Sequence, residues 1–166
     1  RRMAARRAAA AQPASIRYLG APLALVVSDA ARPQVQRNGR ALHVAVPPGA
    51  DAHALARDWL IQRAQRVLLW RLMRQAQRAR KQPAKVGLSN AKSLWGSCTA
   101  RGTIRLNWRL AQAPLHLIDY VAAHELAHLV HLDHSPRFWA EVARLCPEPL
   151  ARRAELRALG AELFQL

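Results

Sequence analysis

The pentapeptide His124-Glu125-Leu126-Ala127-His128, followed by His134, constrains this chain more than any other feature. On a helix, positions i and i+4 share a face about 6 Å apart along the axis, so His124 and His128 can address one metal ion. Glu125 stands beside the first of them, where a carboxylate can take a proton from an activated water, as H-E-x-x-H metallohydrolases require. A third protein ligand would leave the fourth position of a tetrahedral zinc open, which separates a catalytic from a structural site. The run from Leu115 to Ala123 is apolar nearly all round, and Leu126, Ala127, Leu129 and Val130 continue it, so the motif belongs to a buried helix. Two histidines and a glutamate buried without a common partner would be costly, and a shared metal satisfies them.

Three residues compete for the third position. His131 shares the face of His124 and His128, but a metal midway between those two would lie roughly 7 Å further back along the axis, too far for a bond. His134 is better placed: Asp133 offers a turn, and Ser135-Pro136 restarts a helix with Ser135 as its cap and Pro136 at its first position. Glu141, on that next helix, is the weaker candidate for a carboxylate that completes the shell. For the oxyanion of a hydrolytic reaction, Tyr120, Asn107 and Arg137 are candidates, and each could equally be a packing or capping residue.

With 166 residues the chain is long enough for one real core. Its two cysteines, Cys98 and Cys146, make no C-x-x-C pair, so a disulfide framework is not expected and a reducing cytoplasm fits. No apolar run reaches the roughly 18 residues of a membrane span, and the Arg- and Ala-rich start has no h-region of a signal peptide. The net charge of +16 is uneven. Residues 1–92 carry 18 Lys and Arg against Asp29, Asp51 and Asp58, whereas residues 93–166 carry 8 against 7 acids. A front half this basic could hold nucleic acid, with Arg66, Arg71, Arg74 and Arg78 as phosphate contacts. The bland alternative is a coding bias towards Arg and Ala.

Along the chain, residues 1–13 read as a flexible basic tail and residues 14–50 as a β-rich section. Its strands are Ile16–Leu19, Leu23–Val27 and Ala41–Val46, with Asn38-Gly39 as a hairpin signal between the last two. Residues 51–82 form a long basic amphipathic helix from Ala52 to Lys81, burying Trp59, Leu60, Ala64, Val67, Leu68, Leu72 and Ala76. Residues 83–166 form the catalytic region. There Thr103 to Leu110 alternates as a half-buried strand, expected at the edge of a sheet where an extended peptide could pair. Pro114 opens the metal-site helix, Phe138, Trp139, Val142 and Leu145 mark the next, and a last one runs from Leu150 to Leu163 with an interruption at Gly160. Trp70, Trp95, Trp108 and Trp139 read as packing residues.

Several blocks together carry a family resemblance: Trp95-Gly96-Ser97-Cys98, Ile104 to Leu110, the His124–His128 motif, and His134-Ser135-Pro136-Arg137-Phe138-Trp139. In order and spacing they resemble the YgjP-like metallopeptidase domain, a small zincin family related to the SprT and WLM proteases. The resemblance covers about residues 83–146 with specific motifs, and more loosely the β-rich section and the long helix before them. It implies zinc on His124, His128 and His134 and a catalytic base at Glu125. The chain departs from the pattern at Leu94, where the family has a basic residue.

The expectation is therefore an α+β, zincin-like domain with a small mixed sheet and a central H-E-x-x-H helix, preceded by a β-rich section and a long helix. Its function is zinc-dependent hydrolysis of protein or peptide substrates in the cytoplasm, with Glu125 as general base and no membrane partner. Cys98 is not a nucleophile, since it lacks an adjacent base. One alternative is a metal-dependent nucleoside triphosphate or phosphoanhydride hydrolase, although no P-loop supports it. Another is a nucleic-acid-binding module with a structural metal, against which the presence of Glu125 argues.

Overall fold

Short aliphatic runs dominate the start of residues 15–166, the part of the chain that the computed structural model describes. The expected basic tail lies outside the described residues. The runs form β1 (Ser15–Tyr18), β2 (Ala21–Asp29), β3 (Gln34–Asn38) and β4 (Ala41–Val46), one sheet in the order β1-β2-β4-β3. Alternation decides the faces of β4: Leu42, Val44 and Val46 are buried and His43 is exposed. The Asn38-Gly39 turn corrects the expected pairing. It joins β3 to β4 as an antiparallel hairpin, whereas β2 pairs with β4 in parallel. Gly39, at φ +61°, supplies the left-handed position that a two-residue turn needs. β3 is invisible in the sequence because Gln-Val-Gln-Arg-Asn has one apolar residue, and its strand comes from pairing rather than burial.

The described chain divides into two compact units. One contains Ser15, Ile16 and Pro22–Ala56, with Leu23, Leu42, Val44 and Val46 in its core. The other contains Arg17–Ala21 and Arg57–Leu166. α1 (Ala52–Ala79) starts in the first, where the Asp51 carboxylate accepts from the amides of His53 and Ala54 at 3.0 and 3.1 Å. In the second unit α1 buries Leu60, Ala64, Leu68, Leu72 and Ala76 at helical spacing. It ends two residues before the expected Lys81 because Arg80 turns left-handed, with φ +53°. The Arg80 amide donates to the Gln77 carbonyl at 3.2 Å and the Lys81 amide to that of Ala76 at 3.1 Å. These are the two bonds of a Schellman cap, made here without glycine. Trp70 does not pack as expected: it is 57% exposed, with the Arg71 and Arg74 guanidinium groups beside its ring.

β5 (Lys85–Ser89), β6 (Gly96–Cys98) and β7 (Thr103–Asn107) form a second mixed sheet in the order β5-β7-β6, with β5 parallel and β6 antiparallel to β7. The strand expected at the edge is thus the middle one, its Ile104 and Leu106 fully buried, and the edges are β5 and β6. β7 also stops earlier than its alternation suggests. Asn107, itself fully buried, accepts from the Arg109 amide at 3.1 Å and so caps a 3-10 turn, Trp108–Gln112. Its amide nitrogen donates to the carbonyls of Ala91 at 2.7 Å and Leu94 at 2.9 Å, tying down the segment that leads into β6.

α2 (Leu115–Ala127) packs against α3 (Pro136–Leu145), α4 (Pro149–Leu163), β6 and β7. Leu117, Ile118, Ala122, Ala123 and Leu126 are buried on it, and Asp119 takes both ends of the Arg71 guanidinium from α1. α4 runs unbroken through Gly160, where an interruption was expected; an internal glycine lowers helix propensity by about 1 kcal/mol but does not itself stop a helix. Among the described residues the fold is α+β with small mixed sheets and four α-helices, as the sequence implies. No helix among the described residues is long and apolar enough to cross a membrane. The Asn107 ties predict that Asn107→Ala costs about 1–3 kcal/mol in denaturant unfolding and speeds amide exchange at Leu94 and Trp95.

Candidate metal centre

His124 and Glu125 lie in the last turn of α2, and His128 is its C-cap, still right-handed at φ −69° and ψ −13°. The expected continuation through Val130 is corrected. The amides of His128, Leu129 and Val130 each donate three residues back, at 3.1, 3.1 and 3.2 Å, a 3-10 tightening of the kind that closes helices. Because His128 keeps a helical backbone, its ring remains on the His124 face, with ring centres 5.0 Å apart.

The chain then turns back. Ser135 caps α3 by accepting from the Phe138 amide at 3.4 Å, with Pro136 in the first turn, as the sequence suggests. This return brings the His134 ring centre to 5.4 Å from His124 and 4.9 Å from His128. One ligand atom from each of the three histidines lies within 4.8 Å of the other two. Phe138, fully buried, stacks on the His128 ring at 4.4 Å. Glu141 is outside the group: its carboxylate is held by Arg144, at 2.6 Å for the shorter contact. His131 takes part through its backbone. Its carbonyl lies 3.0 Å from His128 Nδ1, and since a carbonyl only accepts, Nδ1 carries the hydrogen and Nε2 keeps its lone pair for a metal. This role is missed by residue spacing, because it belongs to an atom every residue has.

Burial, reinforced by His128, His134 and Arg153, lowers the His124 pKa to about 4. Burial also lowers that of His128, partly opposed by its bond to the His131 carbonyl. Both are neutral near pH 7, the form in which imidazole binds a metal. Glu125, 5% exposed, is pushed up to about 7 by burial. Gly96 on β6 lies hard against it: a Cβ there would come 2.9 Å from both Cγ and Oε1 of Glu125 and 3.1 Å from Val121 Cγ1. The glycine stands in a recognisable block, but only packing shows that its missing side chain is what lets strand and carboxylate meet.

A cavity of about 310 Å³ opens on the His124 and Glu125 side of the cluster, and Tyr120 lines it. Burial raises the phenol pKa of Tyr120, so it stays protonated at neutral pH. The other two oxyanion candidates fall away. The Asn107 amide is committed to the Ala91 and Leu94 carbonyls, and Arg137, exposed in the first turn of α3, is not among the lining residues. Trp95, half-buried, packs against Phe164 as expected, with ring centres 4.1 Å apart and planes tilted by 34°, and it also forms part of the cavity wall. Arg153 and Arg157 of α4 complete one side. Neither belongs to a motif, so their only sequence signal is a spacing of four on a helix. Cys98 is held as a thiol, its pKa raised by burial and then by Glu125. Of the arginines expected to meet phosphates, Arg71 is bound to Asp119, and Arg78 donates to Gln75 and the Leu145 carbonyl.

A family model described as "YgjP-like, metallopeptidase domain" matches residues 1–159. No curated protein matches the chain. Among solved structures, the crystal structure of the metallopeptidase zymogen of Pyrococcus abyssi abylysin is similar, with 26% identity and a TM-score of 0.49 over 57% of this chain and 93% of that one.

Two outcomes follow from the packing around Glu125. Gly96→Ala should destabilise the protein by about 1–3 kcal/mol, and much of that loss should vanish when Glu125→Ala is added, a coupling measurable by a double-mutant cycle in denaturant. The second concerns pH. With its folded pKa raised from 4.5 to about 7, Glu125 binds its proton more tightly in the folded state. Its contribution is present below pH 4.5 and lost as pH rises through 7. In the presence of a chelator, the stability of Glu125→Gln relative to wild type should therefore increase by about 2–3 kcal/mol between pH 4.5 and 8.

Proposed function

The chain belongs to the YgjP-like metallopeptidase family, and from that premise we propose that it is a zinc-dependent endopeptidase, with His124, His128 and His134 holding the metal and Glu125 as general base. The observation that carries this reading is the meeting of three imidazole ligand atoms within 4.8 Å beside a buried carboxylate. The donor set fits the metal. Three nitrogen ligands suit zinc better than a hard cation, two of the rings are kept neutral, and His128 is oriented by the His131 carbonyl as ligating histidines are by their second partners. When bound, the metal supplies Lewis acidity, lowering the pKa of a water and polarising a carbonyl.

The rest is done by the chain's own side chains. Glu125, with a pKa near 7, is suited to accept a proton from the attacking water and to pass it to the leaving amine. Gly96 admits the carboxylate into its pocket without a clash. Tyr120, kept protonated, can donate a hydrogen bond towards charge developing on the substrate oxygen. An extended peptide can pair with the free edge of β6, which runs beside the Glu125 side chain. A cytoplasmic setting is supported by two free thiols, Cys98 and Cys146.

The test joins metal analysis to a substrate screen. Purified protein should hold about one zinc, lost in His124→Ala, His128→Ala and His134→Ala but kept in Glu141→Ala and His131→Ala. Glu125→Gln should keep the zinc and lose about 10²- to 10⁴-fold in the rate of cleavage of an unfolded protein. Loss of metal in Glu141→Ala rather than His134→Ala would overturn the third ligand. Turnover restricted to nucleoside triphosphates would overturn the peptidase.

A further inference from the structure

The cavity beside Glu125 has an asymmetry of charge that hydrolysis itself does not require. Arg153 and Arg157 are one turn apart on α4, both exposed, and both line it. On a helix that spacing puts the two side chains on one face, about 6 Å apart. Four of the other arginines of this unit pair with acids: Arg17 with Glu162, Arg71 with Asp119, Arg144 with Glu141 and Arg152 with Glu155. Among the described residues, neither Arg153 nor Arg157 has an acidic partner. Glu155, the acid between them in sequence, is engaged by His116 at 2.8 Å and Arg152 at 3.5 Å.

The remaining walls say what kind of anion would fit. Arg153 lies with its guanidinium 5.7 Å from the Trp139 ring centre, an aromatic contact that limits where the cation can go. The titratable groups facing the cavity besides the arginines are His124, Glu125 and Tyr120. Glu125, the one carboxylate among them, lies against Gly96 of β6. Leu94, Trp95 and Leu156 make an apolar wall able to take methylene groups. A short aliphatic stem ending in a carboxylate matches apolar walls with a pair of forked donors at the rim, because guanidinium binds carboxylate in a planar, two-bond geometry.

We propose that Arg153 and Arg157 form a carboxylate-recognition subsite, by which the enzyme selects peptides carrying an acidic group beside the bond to be cut. The inference rests on the peptidase reading and names its substrate class. The carboxylate can come from an Asp or Glu side chain or from a free C-terminus.

The experiment uses zinc-loaded full-length protein and peptides that differ only by Glu against Gln at each position flanking the cut, all C-terminally amidated, with a matched set bearing a free C-terminus. At one position kcat/KM should favour Glu by about 10- to 100-fold. A preference confined to the free C-terminus would support the same subsite with the terminal carboxylate as its ligand. In the double variant Arg153→Gln, Arg157→Gln, with unchanged thermal unfolding, the ratio should fall to within about threefold. Calorimetric titration of metal-free protein with one Glu peptide and its Gln twin gives a readout independent of turnover: tighter binding of the first, weakened by salt and abolished in the double variant. Equal cleavage and equal binding of the twins by wild type would overturn the subsite and leave the peptidase standing. Absence of cleavage of any peptide would overturn the peptidase instead.

Discussion

The approach of β6 to α2 at Gly96 is the constraint on which the arrangement of this unit turns. A carboxylate is expensive to bury, and here it is buried against a strand that has no side chain at the point of contact. Any Cβ at that point would have to displace either Glu125 or the strand. The strand in turn is held at that same end, by the residues that lead into it. The Asn107 side chain ties down Ala91 and Leu94, and the Asn107 backbone amide donates to the Trp95 carbonyl at 2.8 Å. The fully buried asparagine therefore acts at a distance on the chemistry, by holding the residues that bring Gly96 to the carboxylate.

The parts of this site that were legible in the sequence are those set by helical periodicity and local capping. His124, Glu125 and His128 declare themselves because an i, i+4 spacing has one geometric meaning on a helix, and Ser135-Pro136 announces the restart that turns the chain back at His134. The illegible parts depend on partners far away in the chain. β7 alternates like an edge strand, yet it lies in the middle because β5 and β6 both find it. Asn107 reads as a possible oxyanion donor, but its amide is consumed by two carbonyls more than ten residues earlier. The His131 carbonyl and the Arg153–Arg157 pair carry no side-chain pattern that marks them as belonging to a site.

The early end of α2 has the same character. Apolar residues continue past Ala127, so periodicity alone extends the helix, but the backbone tightens into 3-10 turns at His128. That tightening sets the direction in which the chain leaves. It also puts the His131 carbonyl within reach of the His128 ring, which a helix continuing to Val130 and beyond would not do.

The contrast between the two helices that flank the cavity has a practical side. α2 offers almost no position facing solvent, so nearly every residue on it is fixed by packing as well as by chemistry. α4 buries only Leu156 and Leu163 and leaves eight of its 15 residues exposed. Reprogramming is therefore confined to one wall. A protein engineer could diversify the exposed turns of α4 as a library, leaving the hydrolytic half as an untouched cassette, and expect most members to fold.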